Sequence, residues 1–280
     1  MFCTSLLQLG DHLFAKAEYE NETGSVKDRA ACFILEEALC RGLLAPGGTV
    51  IEATSGNMGI SFAALCRKKG LRCIIVMPDS MSVERQNLIR AYGAEVLLTP
   101  GRLGMTGATE KALSLAKEIP GSYLPGQFEN PANALAHYRT TGPEIWAQTD
   151  GGVEIFVTGV GTGGTLTGTA RFLKEKNPHI RIVAVEPATS PLLSAGKAGS
   201  HGIQGIGANF VPPILDTSLI DEIITVSDEE ALSAAHALGT AGISAGANIS
   251  AAKALAARFP KKAIVTILPD SRDRYGSLGL

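Results

Sequence analysis

The chain has 280 residues, 45% hydrophobic and 19% charged, with a formal net charge of −2 at pH 7. That is the make-up of a soluble α/β protein with one large unit or two modest domains. It has no basic stripe, no block of like charge and no apolar run near the roughly 18 residues that span a bilayer, so neither nucleic acid nor a membrane is expected as a partner.

The N-terminus, Met1-Phe2-Cys3-Thr4-Ser5-Leu6-Leu7, has no basic region, and Asp11 and His12 follow soon after. No signal peptide is expected, and the cytoplasm is the expected location. Thr23-Gly24-Ser25-Val26-Lys27-Asp28-Arg29 comes next. Ser25 reads as the N-cap of a helix running through Leu39, which puts Lys27 in its first turn. A cation is disfavoured at that positive end of the helix dipole, and a neutral amine is what an imine-forming lysine needs. A solvated lysine beside Asp28 and Arg29 is the plainer reading of this segment, and both stay open here.

Short β-branched runs then alternate with helical patterns. Strands are expected at 49–53, 72–77, 95–99, 154–158, 181–186 and 263–268, several of them apolar throughout. Helices are expected at 57–69, 83–91, 106–118, 165–176, 228–238 and 247–259. This is the signature of a doubly wound α/β protein with buried parallel strands. Asn130-Pro131 breaks the chain near a domain boundary, ahead of another helix.

In such folds ligands bind at the carboxyl ends of strands. Three loops at those places are unusual. Thr54-Ser55-Gly56-Asn57-Met58-Gly59 brings two hydroxyls, an amide and glycine-freed N–H groups to a helix N-terminus, a site for a carboxylate. Ordinary capping by Ser55 or Asn57 is an equal reading. In Thr158-Gly159-Val160-Gly161-Thr162-Gly163-Gly164-Thr165, glycines admit a phosphate to the backbone and Thr162 and Thr165 add hydroxyls. Gly159-x-Gly161-x-x-Gly164 also satisfies the dinucleotide fingerprint, with Glu186 where a ribose-binding carboxylate would stand. A dehydrogenase, however, would leave the first two segments without a role. After the last strand, Pro269-Asp270-Ser271 can contact a cofactor ring or form a plain turn.

Five cysteines, Cys3, Cys32, Cys40, Cys66 and Cys73, make no CxxC pair. The last four sit in apolar stretches and read as small buried hydrophobes. The histidines have no metal-ligand spacing, so no metal is expected.

Together these residues resemble the cysteine synthase (O-acetylserine sulfhydrylase) and cystathionine β-synthase family, and most closely its B type. The resemblance extends to Met77-Pro78-Asp79-Ser80-Met81-Ser82, Gln127-Phe128, Thr140-Thr141-Gly142-Pro143-Glu144-Ile145-Trp146 and Gln204-Gly205-Ile206-Gly207-Ala208. It implies the fold-type II pyridoxal-phosphate architecture, tryptophan synthase β-like. In that fold two doubly wound α/β domains, here 36–132 and 1–35 with 133–280, hold the cofactor in the cleft between them.

The resemblance also implies roles. Lys27 would carry pyridoxal 5′-phosphate as an imine and act as general base. Gly161, Thr162, Gly163, Gly164 and Thr165 would take its phosphate, Asn57 its 3′-oxygen and Ser271 its pyridine nitrogen. Thr54, Ser55, Gly56, Met58 and Gln127 would hold the substrate, with Gly205 bordering the pocket. The implied reaction is β-replacement, forming L-cysteine from O-acetyl-L-serine or another activated serine and sulfide through an aminoacrylate. An aspartate at 270 facing the ring would shift that chemistry. The family commonly has threonine at the position of Met58, so substrate choice is expected to differ there. A homodimer and a serine acetyltransferase partner are implied, although the N- and C-termini are shorter than the family's. Cystathionine β-synthase and cysteine desulfhydrase activities share the same motifs. A NAD-type oxidoreductase and a non-catalytic regulatory member are the readings from other classes.

Overall fold

The computed structural model describes residues 2–278. In chain order the elements begin with β1 (Leu6–Gly10), β2 (Leu13–Ala17), α1 (Lys27–Cys40), β3 (Thr49–Ala53), α2 (Asn57–Lys69) and β4 (Arg72–Pro78). Then come α3 (Val83–Ala91), β5 (Glu95–Thr99), α4 (Gly104–Glu118), α5 (Pro131–Arg139) and α6 (Thr141–Gln148). The remainder is β6 (Ile155–Gly159), α7 (Gly164–Lys176), β7 (Arg181–Pro187), α8 (Leu192–Ala195), β8 (Glu222–Val226), α9 (Asp228–Leu238), α10 (Ile243–Arg258) and β9 (Ile264–Leu268).

The chain divides into two compact units, Lys27–Ala132 and Met1–Val26 with Asn133–Leu280. The first boundary therefore lies at 26/27, not at the expected 35/36. The reason is that α1 is one uninterrupted helix whose apolar stripe, Ala30, Ala31, Ile34, Leu35 and Ala38, belongs to the core of the smaller unit. That unit is a parallel sheet of order β3-β4-β5. Its second layer of core, around Ile51, Ile74 and Val76, lies under α4.

In the larger unit the sheet, among the described residues, has the order β1-β2-β9-β6-β7-β8. All neighbours are parallel except the β1–β2 hairpin. β6 and β9 are adjacent and parallel, so the loops that follow them leave the same edge of the sheet side by side. Asn248 of α10, fully buried, ties those ends together: it accepts from the Gly159 N–H (2.7 Å) and donates to the Ile267 carbonyl (2.8 Å).

Ser25 lies two residues ahead of Lys27, where α1 starts, and bridges antiparallel to Asp270. Two expectations need correction. Cys40, at the last position of α1, is exposed and Cys32 is only half-buried. Cys66 and Cys73 are the buried ones, and the Cys66 sulfur together with burial pushes the Cys73 thiol up, so it packs as a neutral hydrophobe. Finally, α10 begins at Ile243, ahead of the expected 247. Gly246 sits there because any Cβ would strike the Ala231 carbonyl of α9.

Candidate active-site loops

Within the smaller unit, the carboxyl end of β3 feeds residues 54–56 into α2. Gly56 is the N-cap and, lacking a side chain, leaves the cap position open at the backbone. A helix start of this kind presents backbone N–H groups and a positive dipole to an anion. Thr54 is buried, while Ser55, Gly56 and Asn57 are half-buried. The Arg85 guanidinium of α3 donates to the Ser55 carbonyl (2.9 Å) and fixes the loop from outside. The Met58 side chain turns inward and packs in the apolar core with Phe62 and Ile75, leaving its backbone as the part that can meet a ligand.

Lys27 opens α1 and is half-buried. Its neighbour Asp28 is buried and accepts a hydrogen bond from the Ser61 hydroxyl of α2 (2.6 Å), which locks the starts of the two helices together. Gln127 is also buried. Its amide donates to the Glu52 carboxylate (3.1 Å), and the Gly126 N–H donates to the other oxygen (3.3 Å). Burial pushes the Glu52 carboxyl up from 4.5 to about 7, against the N–H groups of Gly126 and Gln127, which favour the ionised form. A carboxyl raised in the folded state contributes stability that is fully present below about pH 4.5 and is lost as pH rises through about 7. At about 1.4 kcal/mol per unit the window is worth about 3 kcal/mol. Chemical denaturation at pH 5 and pH 8 should show that decline in the wild type and a smaller one in Glu52→Gln.

Within the larger unit, β6 leads into residues 160–163 and α7. Gly163 is the N-cap at φ 87°, again with no side-chain cap. A Cβ on Gly161 would strike the carbonyl oxygen of Gly205, and one on Gly164 would strike the Asn133 amide. Gly205, at φ +98°, lies in the 204–208 loop, which the Gly207 N–H pins to the Val160 carbonyl (3.0 Å). Asn133 donates to the Thr162 hydroxyl (3.0 Å). Buried His137 meets the hydroxyls of Thr165 (3.2 Å) and Thr141 (2.9 Å). Neither Asn133 nor His137 was given a role from the sequence, although both flank motifs that were. This glycine cradle at a helix start fits a phosphate dianion.

Ser271 follows β9, next to the β6 loop, and its hydroxyl donates to the Asp273 carboxylate (3.0 Å). Asp270 is buried and accepts from the Tyr275 hydroxyl (2.6 Å), so its carboxylate is committed inside the unit. Glu186 accepts from the Leu193 N–H (2.7 Å) and the Ser194 N–H (3.1 Å). Its carboxylate therefore closes the start of α8, which removes the ribose contact that a dinucleotide reading needs. No cluster of possible metal ligands occurs among the described residues. No helix among them is long and apolar enough to cross a membrane.

The family described as pyridoxal-phosphate dependent enzymes matches residues 3–270. The chain is 49% identical over 279 residues to cysteine synthase B of Campylobacter jejuni, covering 98% of this chain and 93% of that protein. Among solved structures it is similar to a cysteine synthase of Entamoeba histolytica, with a TM-score of 0.94 and 41% identity over 98% of this chain and 86% of that one. It is also similar to an O-acetylserine dependent cystathionine β-synthase of Helicobacter pylori, with a TM-score of 0.91 and 41% identity over 98% of this chain and 94% of that one.

Proposed function

This chain belongs to the pyridoxal-phosphate dependent enzymes, and from that premise we propose that it makes L-cysteine by β-replacement on O-acetyl-L-serine or another activated serine. The observation that carries the reading is the pair of helix starts with glycine at the N-cap, each fed by a glycine-bearing loop from the carboxyl end of a parallel strand. One suits a substrate carboxylate and the other a cofactor phosphate.

Bound pyridoxal phosphate supplies an electron sink for the substrate α-carbon. In this reading Lys27 Nζ holds the cofactor, takes the proton from the α-carbon and later returns it. Gly161, Thr162, Gly163, Gly164 and Thr165 bind the phosphate, Asn57 the 3′-oxygen and Ser271 the pyridine nitrogen, with Gly205 at the border. Thr54, Ser55, Gly56, the Met58 backbone and Gln127 orient the substrate carboxylate. Acetate leaves the β-carbon with the C–O electron pair, and sulfide forms the C–S bond in its place. A hydroxyl at Ser271 does not keep the pyridine nitrogen protonated as a carboxylate would, and Asp270 is occupied with Tyr275. Both features favour elimination over transamination.

The likeness to the Helicobacter cystathionine β-synthase supports a second reading, in which homocysteine replaces sulfide as nucleophile. Purified holoenzyme given O-acetylserine with sulfide, with homocysteine, or with both together separates the two. Cysteine as the dominant product supports the first reading, and dominant cystathionine overturns it. A homodimer, a cytoplasmic location and docking of a serine acetyltransferase are further proposals, resting on the family resemblance. Light scattering of the protein alone and mixed with the acetyltransferase tests the first and third.

A further inference from the structure

We infer that Arg85 is a positioning residue of the substrate-carboxylate site, acting through the Ser55–Gly56 peptide on the Thr54 hydroxyl; this rests on the proposed role of residues 54–58. Arg85 is the third residue of α3, and the N-cap Ser82 hydroxyl accepts its backbone N–H (3.4 Å). The dipole opposes a cation in the first turn of a helix, so helix stability does not explain an arginine there. Its guanidinium reaches to the loop after β3 and donates to the Ser55 carbonyl (2.9 Å). α3 is a fixed base for that contact because it packs beside the same loop. The Thr54 methyl, Ile75 and Ile89 of α3 converge on Gly59 of α2. A Cβ at Gly59 would lie 3.0 Å from the Thr54 methyl and 3.3 Å from Ile89 Cδ1.

The consequence is directional. A trans peptide points its C=O and its N–H to opposite sides. With the Ser55 carbonyl turned to Arg85, the Gly56 N–H faces back into the loop and donates to Thr54 Oγ1 (3.3 Å). A hydroxyl has two acceptor lone pairs and one proton to donate. Thr54 is 5% exposed, and while its Oγ1 accepts from Gly56, its own proton meets no acceptor among the described residues. A buried donor without an acceptor is costly, and a carboxylate oxygen would satisfy it. The chain of guanidinium, peptide and hydroxyl thus aims one proton at the substrate carboxylate, and the charge at its far end polarises each bond along it.

The test uses holoenzyme and L-serine, an amino acid with a poor leaving group, so that binding is read without turnover. Calorimetric Kd is measured for wild type and for Arg85→Met, which keeps the apolar stem and removes the donors. The same change is then made on Thr54→Val, which loses the hydroxyl at nearly constant shape, and on Thr54→Ser, which keeps it. Thermal melts are the control on folding. Arg85→Met is expected to weaken L-serine about tenfold in the wild type and on Thr54→Ser, but less than about threefold on Thr54→Val, because the two residues act as one unit. An Arg85→Met protein that melts lower but binds L-serine as the wild type does overturns the inference. So does the full loss repeated on Thr54→Val, which would make Arg85 a plain charge or a support for the fold. If Arg85→Met does not fold, Arg85→Ala decides on the same Kd comparison. Wild type that fails to bind L-serine at all would overturn the proposed function, and this inference with it.

Discussion

Lys27→Ala is expected to lower cysteine formation by on the order of 10³-fold or more, because one amine serves both as the cofactor's attachment and as the base at the α-carbon. The placement favours this chemistry. Lys27 is the first residue of a fourteen-residue helix, where the dipole opposes a positive charge, and it is half-buried. A side chain at a helix start that is not in the core leaves little to collapse on truncation. The helix itself is held by Ala30, Ala31, Ile34, Leu35 and Ala38 and by the Asp28–Ser61 bond. The melting temperature should therefore stay within a few degrees of the wild type. Borohydride treatment followed by peptide mapping is the second check. It should fix the cofactor to the Lys27 peptide in the wild type and to no peptide in the variant.

Gly161→Ala is expected to weaken cofactor retention by about 10–100-fold, the equivalent of 1–3 kcal/mol of overpacking strain at the phosphate loop. The added methyl would collide with the Gly205 carbonyl oxygen, a backbone atom that cannot swing aside as a side chain can. The 204–208 loop is itself pinned by Gly205 at φ +98°, Gly207 at φ +72° and the Gly207–Val160 hydrogen bond. Relief has to come from the loop before α7, whose N–H groups are the ones proposed to receive the phosphate. Equilibrium dialysis of the variant against free pyridoxal phosphate measures the change. Unaltered retention would place the phosphate elsewhere.

Most parallel strands of the two sheets were legible, the clearest because burial on both faces makes them continuous apolar runs, as at Ile74, Ile75 and Val76 of β4. The β1–β2 hairpin was not. Its second strand carries Lys16, which reads as solvent-facing yet is fully buried, paired with Glu144 (2.7 Å) and bonded to Gln148 (2.9 Å). A charge whose side-chain partners lie more than a hundred residues away cannot be recognised as a core residue from its neighbours. The short β8, with Glu222 and Thr225 among its five residues, escaped for a similar reason, as did α6.

The loops of the candidate site were visible as glycine and hydroxyl clusters, because close approach to an anion constrains consecutive residues. What supports them was not visible. Glu52 reaches Gln127 across 75 positions, Asn133 reaches Thr162 across 29, and His137 reaches Thr165 across 28. Such contacts are made by sheet order and helix placement, and a local motif carries no trace of them.

The central claim is a lysine-linked cofactor that activates a serine derivative for β-replacement, and the visible absorption of the purified protein tests it most directly. The protein should be yellow. Its band should move to longer wavelength when O-acetylserine is added without sulfide, and return when sulfide follows, with one equivalent of cysteine formed per site. A protein that stays colourless after reconstitution with pyridoxal phosphate, or a yellow one whose band O-acetylserine does not move, would contradict the account.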